Sequence, residues 1–202
     1  MKVAGVVLAA GASRRFGQPK ALAQWNGKTF ARWVLDAMGE AGLYPCVLVL
    51  GHEADTIRSR LGQLPARVAI NKQPERGQFS SLQEGIRAVA AECEAAIVAL
   101  VDQPQVPVDI FRALKARLHS APGSLVLPRV RGKRAHPVGI SACWFSEILA
   151  MDPARTLRDF LHAHGDAVVY LDVSDELLLV DVDEPSDLER LAAAWKRGEG
   201  VL

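Results

Sequence analysis

One stretch near the N-terminus decides the fold of this chain: Val6-Val7-Leu8-Ala9-Ala10-Gly11-Ala12-Ser13-Arg14-Arg15-Phe16-Gly17-Gln18-Pro19-Lys20. It begins inside an apolar run, residues 3–8, of the kind that forms a strand buried on both faces. Small residues follow, and Gly11 and Gly17 let the backbone turn tightly and present N–H groups to an anion. Three cations, Arg14, Arg15 and Lys20, then come close together. Because backbone donors and cationic side chains match phosphate oxygens, the stretch predicts a polyphosphate site.

Spacing excludes two familiar phosphate loops. A Walker A loop has four residues between its glycines and then Gly-Lys-Ser/Thr, whereas five residues separate Gly11 from Gly17 here and Gln18-Pro19 precedes Lys20. The dinucleotide fingerprint G-x-G-x-x-G is also absent. The remaining alternative to a phosphate site is a basic surface loop after the first strand.

Composition limits the class of protein. A chain of 202 residues suffices for one well-cored domain, and we expect residues 1–202 to form a single unit. A net charge of +1 and an aromatic content of 6% argue against nucleic-acid binding. Cys46, Cys93 and Cys143 are isolated, which disfavours disulfides and fits a cytoplasmic protein. No apolar run approaches the ~18 residues of a membrane helix, so no membrane association is expected.

The order of predicted elements indicates an α/β fold. In the first half, strands at 3–8, 46–50, 68–71 and 95–101 alternate with helices at 28–41, 55–61, from Ser80 as N-cap, and 108–118. The second half predicts strands at 124–128, 137–140, 168–171 and 177–182, and helices at 143–149, 156–163 and 185–196, with a frayed tail at 198–202. We therefore predict a three-layer α/β/α, Rossmann-like, mostly parallel sheet with a small β-hairpin around Arg131-Gly132-Lys133.

Ligands of such sheets gather at the C-terminal ends of the strands. The first loop, Gly51-His52, the loop at 71–81 and Asp102 all follow predicted strands, so they should line one cleft.

Two acidic segments are candidates for a magnesium site, because Mg²⁺ takes hard oxygen ligands and few protein carboxylates. Asp102 directly follows a buried strand and precedes Pro104; its alternative role is a turn or N-cap residue. Asp181 and Asp183 alternate with Val182, which would put both carboxylates on one face of a strand. Asp183 is the preferred metal contact, with Asp181 close behind, although Asp183 is also suited to cap the last helix.

The motif Leu-Ala-Ala-Gly-x-Ser-x-Arg-Phe-Gly-x-Pro-Lys, residues 8–20, resembles the signature of the MobA-like NTP transferases, the molybdenum-cofactor nucleotidyltransferases. Asp102-x-Pro104 and the segment 181–188 resemble the metal-binding elements of that family. The resemblance implies a nucleotide-diphospho-sugar transferase-like fold with Mg²⁺ as cofactor, a nucleotide-binding half at 1–120 and an acceptor-binding half at 121–202.

The same resemblance implies a set of site residues. Arg15, Lys20 and Asp102 would be catalytic, with Asp102, Asp183 and Asp181 on the metal. The nucleotide would contact Leu8, Ala9, Ala10, Gly11, Ser13, Lys20, Asn71, Gly77, Ser80 and Ser81, and the acceptor would contact Arg134, His136 and Pro137. Arg14 is expected at the surface.

The implied reaction transfers a nucleoside monophosphate to a phosphorylated acceptor and releases pyrophosphate. Ala10-Gly11 resembles the cytidine-using members, where guanine-using members carry Gly-Gly, which favours CTP. Molybdopterin is the implied acceptor, with a molybdoenzyme or its chaperone as a further partner. Two departures concern the acceptor side: Ala135 replaces a usual glycine, and residues 151–156 lack the glycines of the cytidylyltransferase pattern.

Two alternatives stay open. A sugar phosphate or polyol phosphate would suit the same loop as acceptor. A non-catalytic nucleotide- or cofactor-binding chaperone is the other, but such a module has no need of Arg15, Lys20, Asp102 and Asp183 together.

Overall fold

The computed structural model describes residues 1–196 of the chain, so the tail predicted to fray, 198–202, lies outside the described residues. Ten strands are present in this part: β1 (Val3–Ala9), β2 (Gln24–Trp25), β3 (Lys28–Thr29), β4 (Cys46–Leu50), β5 (Arg67–Ile70), β6 (Ala95–Leu100), β7 (Leu125–Val130), β8 (Lys133–Arg134), β9 (Val138–Ser141) and β10 (Val168–Asp172). The α-helices of the same part are α1 (Phe30–Glu40), α2 (Ala54–Leu61), α3 (Gln78–Val89), α4 (Val108–Ser120), α5 (Phe145–Ala150), α6 (Leu157–Ala163) and α7 (Pro185–Lys196).

The strands form one main sheet in the order β10-β7-β9-β6-β1-β4-β5, with β8 paired to β7, and β2 and β3 form a separate hairpin. β1 pairs in parallel with β4 and β6, β4 with β5, and β7 with β10, whereas β9 runs antiparallel to both β6 and β7. Helices cover both faces of this sheet, so the predicted three-layer, mostly parallel fold is confirmed.

Alternation along β1 divides the core in two. Val7 faces a core that α1, α2, α4 and α7 complete with residues such as Phe30 and Phe111, whereas Val6 faces a second core with Leu82 of α3 and Phe160 of α6. All seven residues of β1 are buried, as the apolar run predicts for a strand covered on both faces.

The order in which successive strands are added to the sheet reverses at β1. β4 and β5 lie on one side of β1, and the chain then crosses to place β6 on the other side. The C-terminal ends of β1 and β6 lie side by side at this point, and a crevice opens there.

The predicted hairpin is also present. β7 and β8 pair antiparallel through Arg129–Arg134 and Val130–Lys133, and Arg131 and Gly132 form the turn with positive φ angles of 47° and 78°. These values suit a tight two-residue hairpin turn, in which glycine is favoured at the second position.

The prediction of a strand at 177–182 is wrong. Glu176–Leu179 is a short 3-10 helix, and residues 180–184 follow without pairing to any strand of the described chain. A polar cap explains why a helical turn forms here: the Asp175 carboxylate accepts a hydrogen bond from the Leu177 N–H at 2.9 Å and starts the turn. The turn still buries Leu177 and Leu178, so the apolar residues of the segment reach the core.

The prediction of Ser80 as an N-cap is wrong as well. α3 begins two residues earlier, at Gln78, and its N-cap is Gly77 with a φ of 103°. Ser80 lies within the first turn, where its hydroxyl donates to the Gly77 carbonyl at 2.7 Å. The sequence favoured Ser80 because serine is a better N-cap residue than glycine. The helix nevertheless starts after position 77, because the backbone there has a positive φ that glycine adopts readily.

Across residues 1–196, none of the helices has both the length and the apolar surface that crossing a bilayer requires.

Candidate active site

A cleft of about 300 Å³ opens at the C-terminal ends of β1 and β6. Its walls come from the loop after β1, the loop before α3, the end of β6 and the segment before α7. The lining residues are Leu8, Ala9, Ala10, Gly11, Ser13, Arg14, Arg15, Pro19, Lys20, Ala21, Pro74, Gly77, Gln78, Ser81, Leu100, Val101, Asp102 and Asp183. The structure thus brings the predicted nucleotide loop and two of the predicted metal ligands together.

The loop after β1 is shaped by its own hydrogen bonds. The Ser13 carbonyl accepts from the N–H groups of Phe16 and Gly17, at 3.1 and 3.2 Å, and the Ser13 hydroxyl accepts from the Lys20 N–H at 3.1 Å. Phe16 is buried against Phe30 of α1, which fixes the loop to the core. Ser13 therefore holds the two ends of the loop together and sets the direction of the Lys20 side chain.

Lys20 is the centre of the charge arrangement. Its ammonium nitrogen lies 2.9 Å from Asp102 Oδ2 and 2.6 Å from Asp183 Oδ1, and its side chain is only 12% exposed. Burial lowers the pKa of Lys20, but the ion pairs with Asp102 and Asp183 outweigh burial and raise that pKa above its ordinary value. The side chain is therefore a permanent cation between two carboxylates.

The two carboxylate oxygens of Asp102 differ in their surroundings. Oδ2 pairs with Lys20, whereas Oδ1 is buried and has no hydrogen-bond partner within the described chain. Its backbone carbonyl accepts from the Val182 N–H at 2.9 Å, which ties the end of β6 to the segment before α7. A buried carboxylate oxygen without a partner is an energetic cost unless a ligand binds it.

Asp183 meets two cations. Besides Lys20, it contacts the Arg15 guanidinium, whose Nη2 lies 2.7 Å from Asp183 Oδ2. The hydrogen bond from Lys20, together with the charges of Lys20 and Arg15, lowers the pKa of Asp183. Asp183 does not cap α7; instead Asp187 reaches back and accepts from the N–H groups of Asp183 and Glu184 at 3.1 and 2.9 Å.

Asp181 is oriented differently. Its Oδ1 accepts from Gln103 Nε2 at 2.8 Å, and burial, followed by the nearby charge of Asp102, raises its pKa. It does not line the cleft. The strand-face argument fails because the segment is not a strand. Within residues 1–196, no set of three or more His, Cys, Asp or Glu side chains is arranged around one cation position.

Asp102 and Asp183 nevertheless fit a divalent cation. Their oxygens are hard ligands, they converge on one point now held by the Lys20 ammonium, and Asp102 Oδ1 has no partner within the described chain. One or two carboxylates are the usual protein contribution to a magnesium ion that also binds phosphates.

The second predicted nucleotide loop is only partly in the cleft. Gly77 and Ser81 line it, together with Gln78 and Pro74, which the sequence did not indicate. Asn71 and Ser80 are buried and do not line the cleft, and their role as direct nucleotide contacts stays a prediction. Asn71 Nδ2 donates to the Ser80 and Ser81 hydroxyls at 2.8 and 2.9 Å, and its Oδ1 accepts from the Gln73 N–H at 2.9 Å. This buried network fixes the loop that carries Gly77.

Gly51 explains how the loops of β1 and β4 come so close. A Cβ atom at position 51 would lie 2.8 Å from Pro74 Cβ and 2.9 Å from Ala10 Cβ. Only glycine allows this approach, so Ala10 and Pro74 form one continuous wall.

A wider groove, of about 960 Å³, lies beside α6 and the hairpin of β7 and β8. Its lining residues are Gln78, Leu127, Gly132, Lys133, Arg134, Ala135, His136, Val138, Thr156, Leu157, Arg158, Asp159, Leu161 and His162. A smaller pocket, lined in part by Leu8, Gln78 and His136, joins this groove to the cleft.

Two of the three predicted acceptor contacts line this groove. Arg134 and His136 line it, whereas Pro137 is buried and does not, and Pro137 as an acceptor contact stays a prediction. Arg134 Nε donates to the Tyr170 hydroxyl at 2.8 Å. Burial lowers the pKa of His136, whose Nδ1 has no partner within the described chain, so the neutral imidazole can offer one free ring nitrogen.

Arg158 and His162 are groove residues that sequence reasoning missed. They lie four positions apart on α6, a helix that begins at a capping box in which Thr156 and Asp159 bond reciprocally. The i, i+4 spacing of Arg158 and His162, next to the Thr156-x-x-Asp159 signature of a helix start, was the sequence signal that puts both side chains on one helix face.

Comparison with known proteins decides the family. The MobA-like NTP transferase domain matches residues 5–168 of the chain. The chain belongs to the MobA-like NTP transferase family. The predicted resemblance is therefore confirmed.

Proteins that resemble the chain carry different names. Nicotine blue oxidoreductase of Paenarthrobacter nicotinovorans is 34% identical over 197 residues, 94% of this chain and 96% of that protein. A protein of Bacillus licheniformis named "Probable molybdenum cofactor guanylyltransferase" is 32% identical over 139 residues, 68% of this chain and 67% of that protein.

A solved structure is similar over almost the whole chain. Rv0371c from Mycobacterium tuberculosis H37Rv superposes with a TM-score of 0.83 at 28% identity and covers 95% of this chain and 97% of its own. The same protein has been crystallised in complex with manganese, and that structure superposes with a TM-score of 0.80 at 25% identity, covering 96% of this chain and 100% of its own.

Proposed function

We propose that this protein is a divalent-metal-dependent nucleotidyltransferase that transfers a nucleoside monophosphate to a phosphorylated small molecule. The observation that carries this proposal is the convergence of Lys20, Asp102 and Asp183, from three distant parts of the chain, at the mouth of a cleft walled by the backbone of residues 8–11. A pair of carboxylates with a buried lysine suits triphosphate chemistry better than it suits protein stability, since it leaves Asp102 Oδ1 without a partner.

The proposed reaction is a single displacement. An oxygen of the acceptor phosphate forms a bond to the α-phosphorus of the nucleoside triphosphate, the bond from that phosphorus to the bridging oxygen breaks, and pyrophosphate leaves. The acceptor phosphate is already anionic at pH 7, so no side chain has to remove a proton. The chain contributes alignment and charge neutralisation.

Different residues bind different parts of the nucleoside triphosphate in this proposal. We assign Lys20 and Arg15 to the phosphates, and the backbone of residues 8–11 together with Ser13 to the nucleotide. Arg14 is exposed, as the sequence predicted, and it also lines the cleft; it makes no ion pair with another described residue, so it is available to a phosphate.

Asp102 and Asp183 would hold Mg²⁺, which when bound would neutralise charge on the triphosphate. Lys20 and the ion would compete for the same two carboxylates. Crystals of Rv0371c with manganese are consistent with a divalent cation in a related protein.

For the acceptor we propose a molybdopterin-type phosphate. The groove is large, and Lys133, Arg134 and Arg158 give it a positive lining. The relative named as a molybdenum cofactor guanylyltransferase supports this choice, and transfer of the product to a molybdoenzyme or its chaperone is part of the same proposal. A sugar phosphate or polyol phosphate is the alternative acceptor.

For the base we propose CTP, on the presence of Ala10 where guanine-using members carry glycine. The name of the Bacillus licheniformis relative favours GTP instead, although that match spans only two thirds of each protein. The cytoplasmic location and the division into a nucleotide half, 1–120, and an acceptor half, 121–202, stay predictions.

A second candidate function is an oxidoreductase. It is favoured by one observation, the 34% identity to nicotine blue oxidoreductase over almost the whole of both chains. The absence of the G-x-G-x-x-G dinucleotide fingerprint argues against it.

The test is pyrophosphate release with Mg²⁺ from CTP, GTP, ATP or UTP, in the presence of molybdopterin, molybdenum cofactor or a set of sugar phosphates. Turnover with CTP and a pterin acceptor is the expected result, and turnover only with a sugar phosphate would replace the acceptor. Tight nucleotide binding without turnover would favour the chaperone. Reduction of nicotine blue by an added electron donor, without pyrophosphate release, would favour the oxidoreductase.

A further inference from the structure

Two glutamines in the loop between β6 and α4 have almost fully buried side chains. Gln103 is 4% exposed and Gln105 is 2% exposed, and neither lines the cleft. Gln105 Nε2 donates to the carbonyls of Leu177 and Val180, at 3.0 and 2.7 Å. Gln103 Nε2 donates to Asp181 Oδ1 at 2.8 Å and lies 3.5 Å from the Leu178 carbonyl. Both amides are thus directed at one segment, residues 177–181.

That segment has little regular structure of its own. It consists of a short 3-10 helix and an extended stretch that no described strand pairs with. Apart from the Val182 N–H, which donates to the Asp102 carbonyl, the two glutamines are its main polar connection to the sheet. Two residues beyond the segment lies Asp183, whose carboxylate completes the ion pair with Lys20.

One loop therefore carries Asp102 and also holds the segment that presents Asp183. We propose that Gln103 and Gln105 are positioning residues that set the separation of the Asp102 and Asp183 carboxylates, and with it the affinity of the cleft for a divalent cation. The cation part of this inference rests on the proposed function. The glutamines act through the backbone of 177–181 and through Asp181, and they contact no reacting group.

The chain provides a matched control on the opposite face of the sheet. Gln83 of α3 is 6% exposed, and its Nε2 donates to the carbonyls of Ile148 and Met151, both at 2.8 Å. It makes the same two-carbonyl contact as Gln105, but with a segment that carries neither Asp102 nor Asp183. Gln83→Met should therefore reproduce the general loss of stability caused by Gln105→Met without moving Asp183.

The first measurement is the dissociation constant of Mn²⁺, followed by electron paramagnetic resonance, for the wild type, Gln105→Met and Gln83→Met. Methionine keeps the length of the side chain and removes the donor. We expect Gln105→Met to weaken Mn²⁺ binding by about tenfold or more, the usual effect of losing a residue that orients a metal ligand. Gln83→Met should stay within about twofold of the wild type, since it orients no cleft carboxylate.

A second measurement needs no metal. Lys20 is shielded by Asp102 and Asp183, so its rate of acetylation by acetic anhydride, read by mass spectrometry, reports whether Asp183 is in place. We expect this rate to rise several-fold in Gln105→Met and to stay at the wild-type value in Gln83→Met. Gln103→Met, which removes one firm bond, is a milder variant if Gln105→Met does not fold, and both readouts should move in the same direction.

Unchanged Mn²⁺ affinity and unchanged Lys20 acetylation in Gln105→Met would overturn the inference, as would equal changes in Gln83→Met. Absence of Mn²⁺ binding by the wild type would remove the metal from the proposed function and the cation clause from this inference. The acetylation rates would then decide the positioning role alone, so the two failures are distinguishable.

Discussion

At the scale of single residues, the cleft is organised by one lysine. Lys20 is presented by Ser13 and neutralises two carboxylates that would otherwise repel each other. A triphosphate would bring several negative charges to the same place, and Arg14 and Arg15 are the other cations that face it. The site therefore has a balance of charge that changes when any one of these side chains is removed.

Replacing Lys20 with methionine should flatten the pH dependence of stability in acid. Lys20 lowers the pKa of Asp183 in the folded protein, so this pairing stabilises the fold above the ordinary aspartate pKa of about 4 and loses its effect as the pH falls through the lowered pKa. The free energy of unfolding, measured with urea between about pH 2 and 6, should depend less steeply on pH in Lys20→Met. Parallel curves for the two proteins would contradict the assignment.

Much of the site was predictable at this scale. Lys20, Arg15 and Asp102 follow from one contiguous motif and from one carboxylate at the end of a buried strand. Gln103 and Gln105 were not predictable, because their partners lie more than seventy residues away and nothing local marks a buried amide. For the same reason the sequence could not show that Asp183 faces the cleft and Asp181 does not. That difference depends on distant partners: Gln103 for Asp181, and Lys20 and Arg15 for Asp183.

At the scale of elements, the approach of α3 to β1 positions the cleft wall, and a glycine permits it. A Cβ atom at Gly85 would overlap Val6 Cγ1 and lie 3.2 Å from Val49 Cγ2. Gly77 is the N-cap of this helix and Ser81 lies in its first turn, so the depth at which α3 packs also sets the position of both residues.

Gly85→Ala should lower the free energy of unfolding by about 1–3 kcal/mol, because the added methyl overpacks the contact between α3 and the sheet. Gly39→Ala is the matched control, since Gly39 is an exposed residue of α1 and a Cβ atom there would project into open space. The control should raise the free energy of unfolding by about 0.5–1 kcal/mol through helix propensity alone. Thermal or urea unfolding measures both; a stabilised Gly85→Ala would show that α3 is free to move outward.

Elements with strong periodicity were predicted well, and those without it were not. β4, β6 and α7 agree with the predicted ranges to within one residue, because apolar runs and a proline at the first helical turn define them. The segment 177–182 has the apolar content of a strand, yet Asp175 caps a helical turn and the glutamines satisfy its carbonyls instead of a neighbouring strand.

At the scale of the whole molecule, the two halves of the chain share one continuous surface. The cleft is formed mainly by residues before 103, and the groove mainly by residues after 126, with Gln78 common to both. The smaller pocket at Leu8 and His136 connects them, so a nucleotide and an acceptor could lie in line.

Arg158→Ala should raise KM for the acceptor about tenfold and leave KM for the nucleotide unchanged, because one charged hydrogen bond is worth about 1.5 kcal/mol. Arg112→Ala is the control, as Arg112 on α4 pairs with Asp109 and Glu40 away from the groove. Steady-state kinetics with each substrate varied in turn provides the measurement. An equal rise in both KM values would indicate that the substitution disturbs the fold as a whole and that Arg158 does not bind the acceptor.

The measurement that tests the central claim most directly is the rate of nucleotidyl transfer by Asp102→Asn, beside the wild type and Asp172→Asn. Asparagine keeps the shape of Asp102 and removes its charge, whereas Asp172 is an exposed residue paired with Arg129. We predict a loss of about 10²–10³-fold in turnover for Asp102→Asn, at saturating nucleotide, and none for Asp172→Asn. Wild-type turnover by a folded Asp102→Asn protein would contradict the account.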